Sequence, residues 1–116
     1  MSKQTIRIII IVMIILFALP LFISPALSAE LPDGAQVFEA NCAGCHLNGG
    51  NIIRRGKNLK QKAMKKNGFT SVESIADIVT NGKGNNMSAY GDRLTSKEIQ
   101  AVSEYVLEQS QKNWKN

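Results

Sequence analysis

The sequence predicts an all-α fold of about four helices, and three observations carry that prediction. After residue 29, apolar residues recur three and four apart, and no alternating run is long enough for a strand. Helix-opening signatures stand at Asp33 with Gln36, Thr70 with Glu73 and Thr95 with Glu98. Gly68 and the pair Asn81-Gly82 stand where two of the helices have to stop.

In chain order, the first helix opens after Asp33, buries Val37, Phe38 and Ala40, and ends near Cys42. Glycines and asparagines make residues 47–57 a loop. Residues 58–67 read as a basic helix, stopped by Gly68, with Leu59, Ala63 and Met64 inward. The third helix follows Thr70 and turns Val72, Ile75, Ala76 and Val79 to the core. A polar loop leads to Leu94, after which Ile99, Val102, Tyr105 and Val106 form the stripe of the last helix, reaching to about Ser110. The sequence has no internal repeat.

The start of the chain has a different character. Lys3 and Arg7 precede an apolar run over residues 8–22, and small residues around Pro25 and Ala29 follow, the layout of a secretory signal peptide cleaved after Ala29. The domain then spans residues 30–116. The apolar run approaches the length of a bilayer crossing, so an uncleaved anchor is the alternative. No paired arginines precede the run, so the chain is expected to cross unfolded and to receive any cofactor after export.

Removing residues 1–29 takes away Lys3 and Arg7 and no acid, which lowers the formal charge from +5 to +3. Arg54, Arg55, Lys57, Lys60, Lys62, Lys65 and Lys66 lie in a stretch without an acid, while acids outnumber bases from Glu73 onward. The stretch is either a solvated face or a surface that steers a negatively charged partner. Nucleic-acid binding is excluded for an exported chain without aromatic residues interleaved with these bases.

A domain this small commonly needs a staple. The two cysteines lie three positions apart, and a disulfide between them would close a tiny loop and constrain little. A bound cofactor is the better staple. Cys42-Ala43-Gly44-Cys45-His46 is the attachment pattern of c-type haem, and it holds every cysteine and the only histidine of the chain. Two thiols on one helical turn can reach the two vinyl groups of a porphyrin edge, and the adjacent imidazole meets the iron. A thioredoxin-like dithiol would need a βαβ setting that the sequence lacks. A structural zinc site would need a fourth ligand. A plain disulfide beside a bystander histidine is the remaining alternative.

With His46 used once, the other axial ligand comes from Met64, Met87 or a lysine. Met87 is the expected ligand, because it sits in the flexible loop 82–91 that can fold across the opposite haem face. Met64 falls on a helix at core spacing. Histidine and methionine together raise the reduction potential relative to two histidines, and two strong ligands leave electron exchange as the chemistry. The expectation is an electron carrier and not an enzyme.

On these residues the chain resembles the class I cytochromes c and, within them, the cytochrome c6 family of algae and cyanobacteria. Gly49-Gly50-Asn51-Ile52-Ile53 is similar to that family's glycine-rich stretch, and Asn81-Gly82-Lys83 to the start of its methionine loop. Gly91-Asp92-Arg93-Leu94 is similar to the exit of that loop, and Tyr105-Val106-Leu107 with Trp114 to its last helix and tail. The resemblance implies a class I cytochrome c fold around one covalently bound haem c, in a monomer that is free of the membrane once its signal is cleaved. It implies transfer of electrons from cytochrome f of the cytochrome b6f complex to photosystem I in the thylakoid lumen of a plastid or a cyanobacterium. The alternative is a periplasmic carrier serving a respiratory oxidase or another reductase. The chain departs from the family in one extra residue between Asn81 and Met87, in Ser88 where proline is usual, and in Ile78 where a glutamine near the haem is usual. The first two predict a looser ligand loop. Arg93 corresponds to an arginine that some members use to dock on photosystem I.

Overall fold

Helix amphipathicity leaves each apolar stripe in need of a partner, and here the last helix serves as the common one. A computed structural model describes residues 1–17 and 31–115. It divides into two compact units, Met1–Glu30 and Leu31–Asn116. The first contains α1 (Lys3–Phe17), whose apolar side chains are exposed. Among the described residues, no helix is long and apolar enough to cross a membrane. The rest of the predicted signal and its cleavage point lie in residues 18–30, outside the described ones.

The second unit contains α2 (Gly34–Asn41), α3 (Ala43–His46), α4 (Gln61–Lys66), α5 (Val72–Asn81) and α6 (Ser96–Gln111). The described residues form no strand, in agreement with an all-α class I cytochrome c fold. Helix α6 packs mainly on α2 and α5. Val102 and Val106 of α6 meet Phe38 of α2 and Ile75 and Val79 of α5 in one core. Gly34 permits the closest approach, since a Cβ there would stand 2.2 Å from the Ala101 carbonyl oxygen. Ala40, expected in the core, is exposed on α2.

The helix starts follow side-chain chemistry. The Asp33 carboxylate accepts from the Ala35 N–H at 2.9 Å, without the reciprocal bond that Gln36 was expected to supply. Thr95 and Glu98 form the expected capping box. The box expected at Thr70 with Glu73 stands one residue later: Ser71 accepts from the Ser74 N–H, and the Ser74 hydroxyl serves Ser71 in return. A serine at each end of the box satisfies both amides, each at 3.2 Å.

Residues 58–67 are not one helix. Asn58 Oδ1 accepts from the Lys60 N–H at 3.0 Å and its Nδ2 donates to the Arg55 carbonyl at 2.8 Å. These local bonds hold the chain extended at Asn58 and Lys60, delay α4 to Gln61, and leave a separate 3-10 turn at Arg55–Lys57. Met64 is buried as expected.

Candidate functional site

Cys42 is at once the last residue of one helical segment and the first of the next. Its N–H donates to the Phe38 carbonyl at 2.7 Å, closing α2, and its own carbonyl accepts from Cys45 and His46 at 3.1 and 2.9 Å, opening α3. One helical turn thus gathers Cys42, Cys45 and His46 along the same side, at the spacings where side chains are neighbours. All three border a cavity of about 520 Å³. Both cysteines are free; Cys42 is half-buried and Cys45 exposed. Burial pushes the Cys42 thiol up to about 11, so the free side chain is held as the neutral thiol near neutral pH. Among the described residues, no group of three or more His, Cys, Asp or Glu side chains could hold a metal ion.

The chain reverses immediately after His46. Asn48 (φ 51°) and Gly49 (φ 74°) both take the left-handed conformation, which brings the Gly50 carbonyl back to His46 Nδ1 at 2.8 Å. A carbonyl can only accept, so Nδ1 is the donor, and in the neutral imidazole this leaves the lone pair on Nε2. The single imidazole is therefore fixed in the tautomer and orientation of an Nε2 ligand, with the second hydrogen bond that iron-ligating histidines use.

Met87 reaches the same cavity from the loop between α5 and α6. The Lys83 N–H donates to the Met87 carbonyl at 2.9 Å and the Asn86 N–H to the Lys83 carbonyl at 3.0 Å, so residues 83–87 close on themselves. Gly82 (φ 67°) turns the chain into this loop, and a Cβ there would lie 2.6 Å from both Ala89 N and Met87 O. Beyond Met87, the Tyr90 and Gly91 amides donate to the Val79 and Thr80 carbonyls of α5 at 2.8 and 3.1 Å. The Tyr90 hydroxyl donates to the Asn41 carbonyl at 3.0 Å. The loop is thus fastened at Lys83, Asn86, Tyr90 and Gly91. Met64, the competing sulfur, also borders the cavity but from within the core, at 4% exposure.

Phe38, Leu59, Ile75, Val79, Val102 and Val106 supply apolar walls, and Ile78 lines the cavity where the family usually has glutamine. The volume lies within the roughly 300–1,000 Å³ of cofactor sites. Two free thiols, an imidazole, a thioether and partly apolar walls are a set that fits a porphyrin. Sequence reasoning missed the hydroxyl of Tyr90 and the carbonyl of Gly50. The signal for the first was a lone aromatic three residues after Met87; nothing in the residue type marks the second.

The seven cations of the stretch 54–66 are all exposed. The one ion pair among the described residues joins Lys112 and Glu108, so none of the seven is paired with a carboxylate. Arg54 and Lys57 border the cavity, beside Ile53.

Comparisons with known proteins identify the family. A family model described as cytochrome c oxidase, cbb3-type, subunit III, matches residues 29–106. A cytochrome c6-like protein of Nostoc sp. (strain PCC 7120) is 56% identical over 100 residues, 86% of this chain and 89% of that protein. A cytochrome c6 of Synechococcus sp. (strain PCC 6312) is 48% identical, over 78% of this chain and 80% of that one. Among solved structures, cytochrome c6C from Synechococcus sp. PCC 7002 is 76% identical with a TM-score of 0.68, covering 70% of this chain and 98% of that one. The fold and the donor set define a c-type cytochrome, an electron carrier with one covalently bound haem c. The chain belongs to this c-type family and, within it, to the cytochrome c6 family.

Proposed function

We infer that Cys42 and Cys45 hold the haem through thioethers, that His46 Nε2 and the Met87 sulfur are its axial ligands, and that the protein carries electrons from cytochrome f to photosystem I. The observation that carries the reading is the His46 Nδ1 bond to Gly50 at 2.8 Å, which makes an Nε2 donor of the imidazole next to two free thiols. Haem supplies a centre that gains and loses one electron. Around it, the Gly50 carbonyl orients His46 and raises its basicity. Met87 offers a soft, neutral sulfur that favours the reduced state. Phe38, Val79, Val102 and Val106 give the group an apolar seat. A ligand set held this rigidly changes little between oxidation states.

The partner reading draws on the cytochrome c6 relatives, on the export signal expected in residues 1–29, which would carry the protein to a thylakoid lumen or periplasm, and on surface charge. Arg54 and Lys57 beside Ile53 make the cavity mouth a basic rim around an apolar contact, suited to an acidic docking face. Arg93, exposed and stacked over the Tyr90 ring at 4.2 Å, is the second docking group. Reduced protein mixed with illuminated photosystem I should be oxidised rapidly, with a rate that falls as salt shortens the Debye length from about 10 Å at 0.1 M. Oxidation as slow as in the dark sinks the photosynthetic reading. A second reading, a donor to a terminal oxidase, has the oxidase-subunit family model over residues 29–106 in its favour; rapid oxidation by oxidase-containing membranes in the dark would support it. The attachment reading has its own test, because haem that leaves the denatured, reduced protein in acidic solvent is not covalently bound.

A further inference from the structure

The C-terminal tail makes contacts that electron exchange and partner docking leave unexplained. After α6 ends at Gln111, Asn113 (φ 50°) and Trp114 (φ 59°) are both left-handed, a conformation that costs a tryptophan energy unless its surroundings hold it. The surroundings do. The indole lies against Phe38 and Tyr105, with ring centroids 4.9 and 5.9 Å away. Its Nε1–H donates to the Leu59 carbonyl at 2.9 Å, and Asn113 Oδ1 accepts from the Gln61 N–H at 3.2 Å. The Leu59 N–H in turn donates to the Gly49 carbonyl at 2.8 Å. Gly49 is pressed on the indole itself, where a Cβ would stand 2.2 Å from Trp114 Cδ1. Gly50, the next residue, carries the carbonyl that accepts from His46 Nδ1.

We propose that Trp114 is a positioning residue for the iron ligand: it clamps Gly49 and Leu59 so that the Gly50 carbonyl stays in line with His46 Nδ1, and thereby sets the basicity of the imidazole and the reduction potential. The proposal rests on the reading of His46 as a haem ligand. A carbonyl held on Nδ1–H gives the imidazole more imidazolate character, which stabilises ferric iron more than ferrous. Releasing the clamp weakens that bond and raises the potential. The indole acts in two ways, since its ring seats Gly49 and its N–H hooks Leu59. Trp114→Phe removes only the hook, and Trp114→Ala removes both.

The test uses the haem-loaded protein and proton resonance of its reduced state, together with potentiometry. In the unsubstituted protein, the His46 ring protons should show the large upfield shifts of a group lying over a porphyrin; ordinary positions would overturn the ligand reading itself. Given those shifts, Trp114→Ala should exchange the His46 Nδ1 proton with solvent at least tenfold faster and raise the potential, with Trp114→Phe between it and the parent. Ile99→Ala, a core deletion away from the cavity, serves as the stability control and should leave the potential unchanged. Potentials of both Trp114 variants equal to the parent's would overturn the clamp, as would a potential that moves equally in Ile99→Ala. Should Trp114→Ala fail to fold, Trp114→Phe decides the question by the same two readouts.

Discussion

On the histidine side of the cavity, Cys42, Cys45 and His46 come from five consecutive residues, and bonds of three and four residues close the turn that carries them, with the distant Leu59 and Trp114 bracing Gly49 just beyond it. On the methionine side, Met87 sits in a loop closed by Lys83, anchored to Val79 and Thr80 of α5, and tied by Tyr90 to Asn41 at the end of α2. The turn on one side is therefore built by local geometry with a tertiary brace behind it, and the loop on the other by tertiary fastening throughout. Local geometry persists through fluctuations that leave a helical turn intact. Tertiary fastening fails whenever a helix or a loop end moves, so ligand loss should begin at Met87, and stability and ligation should be coupled there.

The largest effect should follow removal of the methionine sulfur itself. Met87→Ala should abolish the weak near-infrared sulfur-to-iron band of the ferric protein and lower the potential by a sizeable part of the roughly 0.8 V that axial ligands span. Met64→Ala should show the opposite pattern: about 2–5 kcal/mol of stability lost from the core, with the band retained. A band that survives in Met87→Ala and vanishes in Met64→Ala would reverse the assignment of the ligand.

Gly82→Ala should come next, because it strikes the methionine side alone. The residue has φ 67°, and its Cβ would lie 2.6 Å from backbone atoms of Met87 and Ala89. The strain should cost about 1–3 kcal/mol. Denaturant melts would report that cost, and the near-infrared band should weaken while the His46 ring resonances stay in place. If the histidine resonances moved as far as the methionine ones, the two sides would not be independent.

The same contrast explains what could be read from the sequence. The five-residue haem pattern, the capping box at Thr95 and the stripe Ile99, Val102, Tyr105 and Val106 all express local rules, and all appear in the structure. The basic helix was misjudged because Asn58 satisfies Arg55 and Lys60 with its side chain, an option that apolar periodicity does not register. The capping box slipped by one residue because Ser71 with Ser74 makes the same reciprocal pair one position along, serving the Ser71 and Ser74 amides in place of those of Thr70 and Glu73. The tightness of the methionine loop stayed hidden for a deeper reason. Its anchors are backbone carbonyls at Val79, Thr80 and Asn41, and every residue type carries one.

The smallest effect tests the tie between the two sides. Tyr90→Phe deletes the hydroxyl that donates to Asn41 O and keeps the Tyr90 amide bond to Val79. A neutral hydrogen bond of this kind contributes about 0.5–1.5 kcal/mol. At ~4–8 °C per kcal/mol for a domain of this size, the melting temperature should fall by several degrees. The informative readout is ligation. Asn41 precedes Cys42, so the hydroxyl couples the methionine loop to the turn that carries both thiols. Cutting it should let Met87 leave at a lower pH in an alkaline titration of the ferric protein, seen as earlier loss of the near-infrared band. The His46 ring proton should exchange as slowly as before. A histidine that loosens together with the methionine would mean that Tyr90 holds the whole cavity, and that its two sides share one support.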